Sequence, residues 1–142
     1  MRSRPLSEVS TQILARVVGR EPELQLILAA VAAGRHLLLE VPPGTSKTTI
    51  LRAIATERGI PLVFAEGNAD LTTSRLVGHH NPACVPAEGY RPENFDDGPL
   101  LTAMSSGGSL YVEEFNRAPE DTVNVLLTAM AEREVSLHRA RR

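Results

Sequence analysis

Residues Leu37 to Thr49 read Leu-Leu-Leu-Glu-Val-Pro-Pro-Gly-Thr-Ser-Lys-Thr-Thr, and the order of their parts decides the fold. An apolar run ends in a Pro-Pro-Gly turn, then a lysine and two threonines lead into helical periodicity. A strand aiming a loop at a helix start is how a chain surrounds a nucleotide's phosphates. Pro43, Gly44, Thr45, Ser46, Lys47, Thr48 and Thr49 make up that loop and helix start. Backbone N–H groups face the phosphates, Lys47 adds positive charge, and the Thr48 hydroxyl binds Mg²⁺. The strict pattern places Gly where this chain has Val41 and Ser46. Ser46 is small, and its N–H can still face a phosphate. Val41 suits a strand end and is strained only where positive φ is required.

Outward from the loop, strand and helix alternate. A short helix is expected over Glu8–Val17 and another from Glu21, with Leu24, Ile27, Leu28 and Val31 on one face and Gly34 as its stop. His36–Val41 reads as a short buried strand. Thr48–Arg58 reads as a helix with Leu51, Ile54 and Ala55 inward and Gly59 as its stop. A second strand is expected over Ile60–Phe64, a short helix near Asp70 and a hairpin between Gly78 and Phe95. Gly98-Pro99 opens a helix through Met104. Ser109–Val112 is a third strand, ending at Glu113-Glu114. Pro119–Arg133 is a last helix with Val123, Leu126, Leu127 and Met130 at helical spacing. This alternation predicts an α/β fold with a parallel sheet flanked by helices.

Composition narrows the function classes. The 142 residues suffice for one domain with a core. A net charge of −2 gives no field that invites nucleic acid or a membrane surface. Aromatic residues make up 4% with no Trp, too few for a platform that stacks single-stranded nucleic acid. The basic end, Arg139, Arg141 and Arg142, reads as a solvated tail. Cys84 is the single cysteine, which excludes an intrachain disulfide and fits a reducing cytoplasm. The charged start, Met1 to Ser7, is not followed by an apolar core, so no signal peptide is expected. The longest apolar run, Leu26–Ala33, is too short to span a bilayer.

A second constellation is Leu110-Tyr111-Val112-Glu113-Glu114. An apolar strand ending in two acids after a phosphate loop suits metal-assisted phosphoanhydride hydrolysis. One acid holds Mg²⁺ and the next polarises the attacking water. His79, His80 and Cys84 make a poor zinc set, because adjacent histidines hardly chelate one metal and no second cysteine helps.

The block Gly107-Gly108-Ser109-Leu110-Tyr111-Val112-Glu113-Glu114-Phe115-Asn116-Arg117-Ala118-Pro119 is followed by Val125–Met130 and Glu132-Arg133. It resembles the Walker B region of MoxR-type AAA+ ATPases. Val18-Gly19-Arg20, the Leu37–Glu40 run with its loop, and Phe95–Leu100 support the resemblance, which covers about residues 17 to 137. It implies a P-loop NTPase (AAA+) that binds ATP with Mg²⁺ and couples hydrolysis to remodelling or assembly of a partner complex. Val18 and Gly19 would line the adenine pocket. Lys47 would reach the β- and γ-phosphates, Thr48 with Glu113 would hold Mg²⁺, and Glu114 would be the catalytic carboxylate. The 78–95 stretch resembles the family's hairpin insertion. Asn116 and Arg117 would face a neighbouring subunit, or else serve as a helix cap and an exposed arginine.

The resemblance also implies a homo-oligomeric ring and a partner with a von Willebrand A domain, while the cysteine usage, charge and apolar-run lengths above point to the cytoplasm with no nucleic acid and no membrane insertion. It divides the chain into an N-terminal segment 1–17, a partial AAA+ domain 18–138 and a basic tail 139–142. The family's module continues with a sensor-1 strand, an arginine finger and a helical lid, none of which has a counterpart in these residues. In the family sheet that strand lies between the loop-bearing and Walker B strands, so Leu37–Val41 and Leu110–Val112 are expected to lack a shared neighbour. An adaptor that binds nucleotide without useful hydrolysis is the alternative. A small P-loop kinase is disfavoured, because no acceptor site or mobile lid is found.

Overall fold

The computed structural model describes residues 21–40, 47–135 and 137. The expected helix over Glu8–Val17 lies outside them. The chain divides into two compact units, one ending at Ile60 and the other beginning at Pro61.

The first unit is a helix pair. Helix α1 spans Glu21–Ala32 and α2 spans Lys47–Arg58. Each ends on a glycine in the left-handed region, Gly34 (φ 62°) and Gly59 (φ 63°). The next N–H in each case reaches back five residues, Arg35 to the Ala30 carbonyl and Ile60 to the Ala55 carbonyl, both at 2.9 Å. This closure satisfies helix-end carbonyls that would otherwise lack partners, and it needs a residue tolerant of positive φ. Leu24, Ile27 and Leu28 of α1 are buried with Ile50, Ala53 and Ile54 of α2, flanked by Val31, Leu39 and Leu51.

The connection between these helices departs from expectation. His36–Glu40 is not a buried strand; residues 35–40 carry no strand pairing among the described residues. Leu38 is 81% exposed and Leu37 is 40% exposed. Leu39 alone of the three leucines packs on the helix pair. An apolar run becomes a strand by exchanging backbone hydrogen bonds with a neighbour. Without one, its burial reduces to whichever side chain reaches an apolar surface.

The second unit is built on a parallel pair. Strands β1 (Leu62–Glu66) and β4 (Ser109–Glu113) run in register from Leu62 opposite Ser109 to Glu66 opposite Glu113. Strand β1 begins two residues later than the expected Ile60. Pro61 has no N–H to give a ladder, and it joins the pair only through its carbonyl, which accepts from Ser109 at 2.8 Å. Between β1 and β4 come α3 (Thr73–Val77), β2 (Gly78–His80), α4 (Val85–Glu88), β3 (Phe95–Asp97) and α5 (Pro99–Ser105). The β2–β3 hairpin pairs antiparallel, His79 opposite Asp96 and His80 opposite Phe95, as the sequence predicts. Helix α3 starts later than Asp70 because Asn68 Oδ1 accepts from the Asp70 N–H in a turn, while Thr72 caps the helix by accepting from the Arg75 N–H.

After β4, a tight turn over Phe115–Arg117 leads to α6 (Glu120–Glu132). The core gathers Leu71, Leu76, Val77, Leu100, Leu126 and Ala129, with Leu110 and Val112 of β4 packed on it. Tyr111 alternates to the other side of β4 and meets Phe64 edge-on, ring centroids 5.4 Å apart. The buried face of α6 differs from the expected one. Thr122, Leu126 and Ala129 are buried, whereas Leu127 is 51% and Met130 39% exposed. Thr122 turns that face inward: it is fully buried, and its hydroxyl donates to the Leu71 carbonyl at 2.7 Å. Among the described residues, no helix is long and apolar enough to cross a membrane.

Candidate functional site

The carboxyl ends of β1 and β4 bring acidic residues together. Parallel register sets Glu66 beside Glu113, and both are exposed. Two carboxylates side by side on neighbouring strands repel, so this strand end favours a cation. Sequence reading singled out Glu113 and missed Glu66, because its membership follows from a register between strands far apart in the chain.

The polypeptide beyond Glu113 is held closely. The Gly67 N–H donates to the Glu113 carbonyl at 2.7 Å. A Cβ on Gly67 would lie 2.3 Å from the Glu114 carbonyl oxygen and 2.8 Å from its carbon. Only a residue without a side chain lets the β1 exit pass this near. The sequence signal was a glycine directly after a strand, a pattern that also marks ordinary loops.

Glu114 adopts left-handed backbone angles, φ 52° and ψ 40°. This region costs most residues about 1 kcal/mol or more, and non-glycine residues held there gather at functional sites. The Arg117 N–H donates to the Glu114 carbonyl at 2.9 Å, which closes the tight turn. Arg117 Nε lies 2.8 Å from Glu114 Oε2. Asn116 is exposed and does not cap α6, whose first turn follows Pro119 with no side-chain cap.

In the first unit, Lys47 and Thr48 open α2 and are half-buried, while Thr49 is exposed. The first turn of α2 contains no acidic residue. The first-turn N–H groups of a helix have no partner within it and carry partial positive charge, and here that helix start also brings a lysine and two threonines, a chemistry that fits a phosphate. The acidic strand end offers the oxygens of two exposed carboxylates, and among the described residues no group of three or more His, Cys, Asp or Glu is placed to hold a metal ion. Val18, Gly19, Val41, Pro43, Gly44, Thr45 and Ser46 lie outside the described residues.

The hairpin region forms an open cleft of about 1050 Å³, lined by Val77, His80, Phe95, Val125 and Val135 among others. His80 meets Tyr90 and Phe95 edge-on, at 5.1 and 5.0 Å between ring centroids. His79 is exposed, and Cys84 stands at the start of α4.

Comparison with known proteins agrees with this geometry. Residues 36–142 match the family model described as AAA domain (dynein-related subfamily). The chain is 34% identical over 125 residues to Protein MoxR of Methylorubrum extorquens, covering 88% of this chain and 35% of that protein. It is 34% identical over 123 residues to Protein MoxR of Paracoccus denitrificans, covering 87% of this chain and 35% of that one. It is also 34% identical over 113 residues to the gas vesicle ATPase GvpN of Haloferax mediterranei, covering 70% of this chain and 32% of that protein. The chain thus spans about a third of the length of these relatives. Parallel strands ending in paired carboxylates, a lysine and threonine opening a helix, and a match over most of the chain agree: it belongs to the AAA+ family of P-loop NTPases and is of the MoxR type.

Proposed function

We propose that this chain binds ATP with Mg²⁺ and hydrolyses it, and that hydrolysis drives remodelling or assembly of a partner protein complex. The observation that carries this reading is the end of β4. Glu113 and Glu114 stand at the carboxyl edge of a parallel pair, where open α/β sheets receive their ligands, and Glu114 is held there in a costly conformation.

The residues divide the work by chemistry. Lys47 places positive charge at the β- and γ-phosphates, aided by the N–H groups that open α2. Thr48 and Glu113 would hold Mg²⁺ through oxygen, the ligand type that ion prefers. When bound, the ion neutralises charge that develops on the phosphoryl oxygens. Glu114 accepts a proton from the attacking water, and its exposed carboxylate gives water direct access. Val18 and Gly19 would line the adenine pocket, and residues 43–46 would surround the phosphates. A homo-oligomeric ring, a cytoplasmic setting and a partner with a von Willebrand A domain extend the reading to the assembled protein.

The replacement of two loop glycines by Val41 and Ser46 favours a second reading, an adaptor that binds nucleotide without useful hydrolysis. Equilibrium binding of ATP and steady-state phosphate release, measured on the wild type and on Glu114→Gln, separate the two. The ATPase reading expects both proteins to bind and only the wild type to turn over. Binding without turnover by the wild type selects the adaptor. Turnover in Glu114→Gln equal to wild type removes Glu114 from the mechanism.

A further inference from the structure

We propose that Arg117 is the positioning residue for the Glu114 carboxylate, fixing Oε2 so that Oε1 is presented to water. The inference rests on the reading of Glu114 as the proton acceptor and adds a residue that acts through it.

Backbone geometry comes first. The turn over Phe115–Arg117 has 3₁₀ geometry, closed by the Arg117 N–H to the Glu114 carbonyl and the Ala118 N–H to the Phe115 carbonyl. With three residues per turn, side chains three apart lie one above the other. Glu114 itself lies just outside that turn, in left-handed angles, and it is the closure of the turn on its own carbonyl that brings Arg117 back beside the carboxylate. The left-handed angles at Glu114 redirect the chain between β4 and this turn. Gly67, pressed against the Glu114 carbonyl, limits how far that backbone can shift.

Side-chain chemistry comes second. The contact runs from Arg117 Nε to Glu114 Oε2 at 2.8 Å, an ion pair at the separation of a charge-assisted hydrogen bond. It engages one oxygen and leaves Oε1 to accept a proton. Both side chains are substantially exposed, 69% for Arg117 and 48% for Glu114. An exposed pair of this kind contributes little to folding stability. Its consequence is local: without it, a glutamate on an exposed turn samples several rotamers, most of them unproductive. A guanidinium suits the task because its planar donors are preorganised, whereas a lysine offers one mobile ammonium.

Two experiments on the full chain test the inference. The first needs no nucleotide: exchange of the Arg117 Nε–H with water is followed by ¹⁵N-resolved NMR in the wild type and in Glu114→Ala. A bonded Nε–H exchanges several-fold more slowly in the wild type; equal rates overturn the proposal. The second is steady-state turnover of Arg117→Ala and Arg117→Lys. Misplacing a catalytic group by about an ångström costs up to about 100-fold in rate, so loss of one tether is expected to lower kcat about tenfold. KM, ATP affinity and the thermal midpoint are expected to stay near wild type, and Arg117→Lys to recover part of the loss. An unchanged kcat, a rise in KM alone, or a lysine variant no better than alanine overturns it. If Glu114→Gln turns over normally, the reading of Glu114 as proton acceptor fails by itself, while slow Nε–H exchange still reports the Arg117–Glu114 contact.

Discussion

Gly67→Ala probes the approach of two chain segments at the acidic strand end. The new methyl carbon would begin 2.3 Å from the Glu114 carbonyl oxygen, 2.8 Å from its carbon and 2.9 Å from the Glu113 carbonyl oxygen. All three are backbone atoms, so no side chain can rotate aside and a strand end must move. Forcing a methyl into a filled site typically costs about 1–3 kcal/mol. Alanine restricts the unfolded chain more than glycine does, which returns about 0.4–1 kcal/mol. The net expectation is a loss of about 1–2 kcal/mol, equivalent to roughly 5–10 °C in thermal midpoint for a domain of this class. Displacement of Glu114 is also expected to lower turnover more than ATP affinity. Urea unfolding followed by circular dichroism, with the slope compared between proteins, measures the first quantity. A variant with wild-type midpoint and slope would show that the β1 exit does not pass Glu114 this closely.

Three further outcomes are expected. Thr122→Val removes the hydroxyl that donates to the Leu71 carbonyl in the core, leaves that carbonyl without this partner and destabilises by about 1–3 kcal/mol in urea; Thr122→Ser retains most of the wild-type midpoint. His80→Phe replaces a ring whose buried Nε2 has no hydrogen-bond partner and which already packs edge-on to two aromatic rings. Its urea midpoint is expected to equal or exceed wild type, since an unpaired buried polar atom is a cost. Lys47→Ala is expected to weaken ATP binding at least tenfold by equilibrium titration while leaving the thermal midpoint within about 2 °C, because Lys47 lies at a helix end outside the core.

What the sequence disclosed follows from how local each signal is. Gly34 and Gly59 announced the ends of α1 and α2, Gly98-Pro99 announced α5, and the 78–95 hairpin was bounded by its own turn residues. Each of these depends on neighbours in the chain. The apolar run 36–40 suggests a buried strand but carries no information about pairing; the family resemblance did carry it, through the neighbour that Leu37–Val41 was expected to lack. The α6 face was misassigned because a threonine and an alanine, weak markers of burial, occupy two of its inward positions. At the candidate site, the order Glu113-Glu114-Phe115-Asn116-Arg117 was legible. The left-handed turn at Glu114 and its contact with Arg117 were not, since both arise from backbone angles. Glu66 and Gly67 join that site only through strand register, a long-range property.

The left-handed angles at Glu114 bear on how this protein would respond to selection for heat resistance. Glycine or asparagine would occupy that backbone conformation with less strain than glutamate. Glu114→Gly and Glu114→Asn would therefore score as neutral or improved in a screen that reads folding alone, although both lose the carboxylate. On the role proposed for Glu114, a campaign that enriches thermostable variants without assaying nucleotide turnover would drift toward a firmer, silent protein at this codon. Position 114 is thus a place where the residue that best fits the backbone and the residue the proposed mechanism needs are different.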